Sequence, residues 1–283
     1  MNKAAFQQKG PLLIVANHPN SFLDAVLIGA FFKEEVHFLA RGDAFKNKLH
    51  RFLLKFLNMI PIYRLREGKE NLHLNEYAFH ESKRILENGG IVLIFIEGIC
   101  LNTNDIQPFK KGAARIAYRS KPPQPLRILP IALAYDTFNR FGKTVLINAG
   151  NGINASALFP YEEESKNYLF FNKQLKSQIE ELVSAHPAII TNKKTPVELF
   201  AKFGKILHLP YYSTIKKFVQ TKTAGTVFYD SVLFGVLMFT YPLYLILLST
   251  LLFTIGLSFN IILAVLIVHI LSAKVAVLQA EVK

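Results

Sequence analysis

The stretch Leu12-Leu13-Ile14-Val15-Ala16-Asn17-His18-Pro19-Asn20-Ser21-Phe22-Leu23-Asp24 holds the unit from which the chain is built. Leu12–Ala16 is a short apolar run after Pro11 and reads as a buried strand. Asn17–Asn20 reads as a turn. Ser21–Lys33 then spaces Phe22, Leu23, Val26, Leu27, Ala30 and Phe31 as one face of a helix. The alternation continues outward. Val36–Ala40 is a second strand, Lys46–Leu57 an amphipathic basic segment, and Met59–Tyr63 a short extended run around Pro61. Asn71–Glu87 is a helix stopped by Gly89-Gly90, and Ile91–Ile96 is an apolar strand ending at Glu97-Gly98. Lys110–Arg119 reads as a helix, Arg127–Ala134 and Thr144–Ala149 as strands, Lys166–Ala185 and Pro196–Leu207 as helices. Pro130 inside a strand points to an edge or a bulge. Strands alternating with helices predict an α/β domain with a mixed, largely parallel sheet flanked by helices.

The rest of the chain obeys a different rule. Hydrophobic residues make up 51% and mean hydropathy is +0.25, but the excess is concentrated. From Ser231 to Ala273 there is no Asp, Glu, Lys or Arg, and one membrane span needs roughly 20 such residues. The expected form is a C-terminal hydrophobic helical hairpin, with limbs near Val227–Ile255 and Ile261–Leu278 and a bend at Gly256–Asn260. Its length and uniform apolarity argue against a buried hairpin of a soluble core. Lys216, Lys217 and Lys222 precede it and Lys274 and Lys283 close it, which puts both ends on the cytoplasmic side. Two full spans and a re-entrant hairpin are both open. Residues 1–222 form the expected α/β domain and 223–283 the hairpin.

Charge and cysteine narrow the classes further. The formal net charge is +13. Without zinc-finger spacing, an RNP-like strand or a basic arm, an anionic membrane accounts for it better than nucleic acid. The single cysteine, Cys100, allows no internal disulfide and no cysteine-based metal cluster. Met1–Gly10 lacks the apolar core of a secretory signal.

Four segments carry candidate chemistry. In Asn17–Asp24 a His follows a buried strand and an Asp lies in the first turn of the next helix. A His there suits a general base, and the Asp would fix its tautomer, as in a hydrolase triad with the substrate hydroxyl in place of serine. Ser21-Phe22-Leu23-Asp24 reads equally as a helix capping box. In Ile60–Arg66, Arg64 is either a phosphate ligand or a solvated surface arginine. In Ile94–Gly98, Glu97 ends a strand before a glycine that lets the backbone approach a ligand, or simply satisfies nearby N–H groups. Ile128–Ala132 adds the strand proline.

In that order the four segments resemble the 1-acyl-glycerol-3-phosphate acyltransferase family, the broad glycerolipid acyltransferase group. The family's N-H-x4-D, arginine-bearing, F-P-E-G-T-R and V-P-x blocks are similar to Asn17–Asp24, Ile60–Arg64, Phe95–Cys100 and Leu129–Ile131. Phe109-Lys110-Lys111-Gly112 is similar to the F-K-x-G that follows the third block. The resemblance covers roughly Pro11 to Tyr135. Five residues separate His18 from Asp24 instead of four, as in some glycerol-3-phosphate acyltransferases. Ile96, Ile99 and Cys100 stand where Pro, Thr and Arg are usual, and Lys110 or Lys111 is the candidate replacement for that arginine.

The resemblance implies a membrane-bound enzyme that moves a fatty acyl group from a thioester donor to a glycerol-phosphate or lysophosphatidate hydroxyl. His18 and Asp24 would be catalytic. Arg41, Arg64, Glu97 and Gly98 would bind substrate. No cofactor or metal is implied; acyl-CoA or acyl-carrier protein is the co-substrate, and the partners are the lipid acceptor and the membrane. Acyl transfer to another lipid acceptor, and a lipid-binding protein with a degenerate site, are the alternatives. Lys46–Lys55, with its apolar neighbours, reads as an interfacial helix or as an ordinary helix packed on the core.

Overall fold

The structure, a computed structural model, describes residues 3–63, 73–139, 143–184 and 198–280. Seven strands make one sheet: β1 (Leu12–Ala16), β2 (Val36–Arg41), β3 (Met59–Ile62), β4 (Ile91–Phe95), β5 (Arg127–Tyr135), β6 (Val145–Ala149) and β7 (Ile153–Asn154). Their order is β3-β2-β4-β1-β5-β6, with β7 also on β5. The β1–β4, β1–β5, β2–β3 and β2–β4 pairings are parallel, and β5–β7 is antiparallel. The helices are α1 (Ser21–Phe31), α2 (Lys48–Phe56), α3 (Asn75–Glu87), α4 (Gly112–Arg119), α5 (Glu164–Ser184), α6 (Glu198–Thr223), α7 (Tyr229–Thr254) and α8 (Phe259–Ala280). The mixed, mostly parallel sheet with helices and the apolar C-terminal hairpin are those expected.

Contacts divide the chain into two compact units. One holds Met1–Pro19, Asp24–Ala134 and Leu146–His186; the other holds Asn20–Leu23, Tyr135–Val145 and Pro187–Lys283.

In the first unit the core follows from strand alternation. Leu13, Val15, Val92 and Ile94 pack with Ala78 and Leu86 of α3, Ala113 and Ile116 of α4, and Phe171 of α5. Leu12, Ile14 and Leu93 are fully buried and alternate to the opposite face of the sheet. Right-handed crossovers place α1 on that face, because β1→α1→β2 and β4→α4→β5 travel in opposite directions along the sheet. Gly29 of α1 fits there closely: a Cβ on it would stand 2.9 Å from the Phe38 ring of β2. Removing a fully buried Leu or Ile from water contributes about 1.5–3 kcal/mol, so β1 and β4 are the best-held strands.

Two expectations are corrected. Pro130 marks no sheet edge. It lies in the interior strand β5, opposite Val15 of β1, and its carbonyl accepts the Gly150 N–H at 2.9 Å, so the ladder continues past its missing donor. The helix expected at Pro196–Leu207 begins at Glu198 and runs on to Thr223 through Pro210. Packing of α6 against α7 and α8 outweighs the backbone hydrogen bond that a helix proline removes.

In the second unit, α6 crosses α8 so closely that a Cβ on Gly204 would stand 2.2 Å from the Ser272 carbonyl oxygen. His208 sits on Tyr241 and His269, and Tyr211 stacks on Tyr244, joining all three helices. At the start of α7, Asp230 accepts from Asn20 at 2.6 Å and pairs with Lys143. Helices α7 and α8 are long and apolar enough to cross a membrane. Only 11% and 22% of their apolar windows are buried, whereas the core helices of a soluble protein would be mostly covered. The bend between them turns at Gly256, with φ +90°.

Candidate active site

In an open α/β sheet, ligands bind outside the carboxyl ends of the strands where the connections diverge. Here that place is between β1 and β4, neighbours whose crossovers leave in opposite directions. The register pairs Ala16 with Phe95, so the residues two beyond each strand, His18 and Glu97, come side by side. The Ile96 N–H donates to the Ala16 carbonyl at 3.0 Å, and the His18 N–H donates to Glu97 Oε2 at 3.1 Å.

The His18 ring is held by two contacts. It stacks on Phe95 with centroids 3.9 Å apart and planes 10° apart. Its Nδ1 lies 2.9 Å from Asp24 Oδ2. Its side chain is 19% exposed, while that of Asp24 is wholly buried. With Nδ1 turned to the carboxylate, Nε2 is the ring nitrogen left for proton transfer. The five-residue spacing therefore still brings the pair into contact. The backbone accommodates it with Ser21 at φ +52°, a left-handed conformation at the first residue of α1.

Glu97 is buried at 3% exposure, and its Oε1 accepts the Gln107 N–H at 2.9 Å. One carboxylate thus ties the His18 loop to the loop after β4. Burial pushes its pKa up, partly offset by the backbone donors of Gln107 and His18. Gly98 turns at φ +61°, and its N–H donates to the Phe95 carbonyl at 3.1 Å. The Lys110 stem lies over it, with Cγ 3.1 Å from where a Gly98 Cβ would stand. The exposed Lys110 is therefore the lysine set against the third block, while Lys111 precedes α4. Ile96 is 1% exposed and belongs to the core, and Cys100 is half-buried.

Arg41 ends β2 on the same carboxyl edge, opposite Ile62, and its Nε donates to Asp43 Oδ1 at 3.1 Å. Arg64 lies outside the described residues. Among the described residues, no three His, Cys, Asp or Glu side chains are grouped to hold a metal ion. An open groove of about 650 Å³, lined by Lys9, His37, Glu87 and Gly89, lies at the amino edge of the sheet, away from this constellation.

Sequence reasoning passed over Asn17, Gln107 and the role of Phe95. Asn17 is 2% exposed and clamps the backbone of Leu133: its Nδ2 donates to the carbonyl at 2.9 Å and its Oδ1 accepts the N–H at 2.8 Å. Its place beside His18 was its only local signal. Phe95 was part of a recognised block, but a ring stack cannot be read from spacing.

Comparison with known proteins gives this geometry its context. Residues 1–134 match the family model described as Acyltransferase. The resemblance read from the four blocks is borne out. Over 129 residues the chain is 30% identical to the "Probable 1-acyl-sn-glycerol-3-phosphate acyltransferase" of Mycoplasma genitalium, covering 44% of each chain. It is 27% identical over 129 residues to the protein of that name in Mycoplasma pneumoniae, covering 44% of this chain and 45% of the other. The match thus spans less than half the length of these curated relatives. The 1-acyl-sn-glycerophosphate (LPA) acyltransferase PlsC of Thermotoga maritima aligns with a TM-score of 0.46 at 20% identity, over 66% of this chain and 72% of that one. His18, Asp24, Arg41, Glu97 and Gly98 all fall within the residues that this family model matches.

Proposed function

We propose that the chain is a membrane-bound O-acyltransferase that moves a fatty acyl group from a thioester donor to a hydroxyl of glycerol 3-phosphate or lysophosphatidate. The observation that carries this reading is the 2.9 Å contact between His18 Nδ1 and buried Asp24, at the switch point of a sheet within an acyltransferase region. Asp24 holds the proton on Nδ1 and leaves Nε2 as the base. His18 Nε2 takes the acceptor hydroxyl proton as the oxygen bonds to the thioester carbonyl carbon. The carbon–sulfur bond then breaks, and the thiolate leaves with the proton from His18. This direct transfer needs no acyl-enzyme, so Cys100 is not the nucleophile. Glu97 and Asn17 hold the loop that presents His18. Arg41 and Arg64, with Lys110 in place of the missing third-block arginine, bind the acceptor phosphate. Acyl-CoA and acyl-carrier protein are both acidic and suit a chain of net charge +13. The apolar hairpin anchors the protein, with the catalytic domain on the cytoplasmic side by the flanking lysines.

The test is an acyl-transfer assay on purified protein in lipid. Labelled acyl-CoA or acyl-carrier protein is supplied, with glycerol 3-phosphate and lysophosphatidate as separate acceptors. Product from one acceptor, abolished in a folded His18→Ala variant, is the expected result. Full activity in that variant refutes the assignment. Loss only in Cys100→Ser supports a covalent route instead. Silence with both donors and both acceptors points first to another lipid acceptor and then to a lipid-binding protein.

A further inference from the structure

Helix α2 is unlike every other helix of its unit. It has no buried residue. Leu49, Phe52, Leu53, Phe56 and Leu57 are 62%, 68%, 47%, 77% and 46% exposed. At 100° per residue these five side chains fall on one continuous arc. Lys48, Arg51 and Lys55 fall together beyond one edge of that arc. A soluble protein rarely leaves so large an apolar patch uncovered.

The helix is also firmly built. The Asn47 side chain caps it by accepting the Leu49 N–H at 2.8 Å, and Arg51 Nε donates to the Phe45 carbonyl at 3.2 Å. Its apolar face is therefore presented as a fixed surface.

We infer that α2 is an interfacial helix that docks the catalytic unit on an anionic lipid bilayer. Charge selects that occupant. An apolar arc with lysine and arginine along its border matches the boundary between acyl chains and anionic headgroups. The α2 segment Lys46–Leu57 has four Lys or Arg and no Asp or Glu. The same chain carries two helices long and apolar enough to cross a membrane. Of the two sequence readings for this segment, the exposure of these five side chains favours the interfacial one. The docking inference stands on α2 alone and does not need the acyl-transfer reading. If that reading holds, α2 leaves the sheet at the edge carrying His18 and Glu97, where a lipid acceptor must arrive.

The experiment uses the full chain with Cys100→Ser, reconstituted into vesicles of mixed anionic and zwitterionic lipid. Single cysteines replace Leu49, Phe52, Leu53 and Phe56 in turn, with Arg51 and Lys176 of α5 as controls, and each carries a nitroxide. Collision with oxygen and with a water-soluble nickel chelate gives depth. The four apolar positions should read about 5–10 Å below the headgroups, with Arg51 and Lys176 in water. In purely zwitterionic vesicles the four should be shallower. Adding Phe52→Glu and Phe56→Glu should bring the Leu49 label out to water. Labels at 52 and 56 as open to nickel as Lys176 in anionic vesicles would overturn the inference. So would spin–spin broadening that places a second copy on this face. Circular dichroism of each variant separates misfolding from undocking.

Discussion

Asp24→Asn separates the two readings of the His18–Asp24 segment. The substitution keeps size and helix position and removes one buried charge. In the present geometry Asp24 Oδ2 lies 2.9 Å from His18 Nδ1. The imidazolium that forms as His18 takes the hydroxyl proton would have its charge centre roughly 4 Å from the carboxylate charge. At an effective dielectric of about 20, that attraction is about 4 kcal/mol. At 1.36 kcal/mol per factor of ten, kcat should fall by about a thousandfold. The asparagine amide can also donate to Nδ1, which moves the ring proton to Nε2 and removes the base. Partial solvent access at His18, 19% of its side chain, makes the electrostatic figure an upper value, and the tautomer effect acts in the same direction. The assay is initial-rate acyl transfer at saturating acceptor, with thermal unfolding on the same sample. A folded variant within tenfold of wild type refutes the reasoning and leaves Asp24 as a helix cap.

Three further outcomes follow from other parts of the structure. Asn17→Ala strands the buried N–H and carbonyl of Leu133 and should cost about 2–5 kcal/mol, read as a lower Tm; an unchanged Tm contradicts the clamp. Burial raises the Glu97 pKa above the ordinary glutamate value, against the backbone donors of Gln107 and His18, so the folded state binds that proton more tightly than the unfolded chain. Its stabilising effect is complete below the unfolded pKa and is lost as pH rises through the raised one. The stability advantage of wild type over Glu97→Gln should therefore shrink from about pH 4 upward, as denaturant titrations would show, and an advantage that grows would reverse the sign. Gly204→Ala must part α6 from α8 and should cost about 1–3 kcal/mol in detergent unfolding. Gly235→Ala, with nothing within 4 Å of the added carbon, should be neutral or stabilising, and equal losses at both glycines would refute the close crossing.

The parts of the fold that the sequence disclosed are those whose causes are local. Leu12–Ala16 and Ile91–Phe95 are apolar runs bounded by Pro11 and by Gly89-Gly90, and both are strands at or within one residue of the expected limits. The hairpin limbs follow from the uncharged run alone. What escaped depends on contacts between distant positions. Asn17 meets Leu133 across 116 residues, and Glu97 joins His18 to Gln107 across 79 and 10. Pro130 obeyed its local rule less than the register of its neighbours, and α6 continued past Pro210 because α7 and α8 pack against the helix.

The same distinction explains why Glu97 was open to two readings in the sequence. A carboxylate at a strand end, one residue before a glycine, looks equally like a ligand for substrate and a brace for backbone. Each of its oxygens takes a main-chain N–H, one from each of two loops, and the residue is almost wholly buried. A group so occupied can reach substrate only by breaking bonds that position His18. On the proposed acyl-transfer reading its contribution would run through the histidine: losing it should lower kcat through misplacement of the base, with little change in KM for the acceptor. If Arg41 and Lys110, exposed on the same edge, hold the acceptor phosphate as proposed, they should show the opposite split, because a phosphate ligand removed from the rim weakens binding more than chemistry.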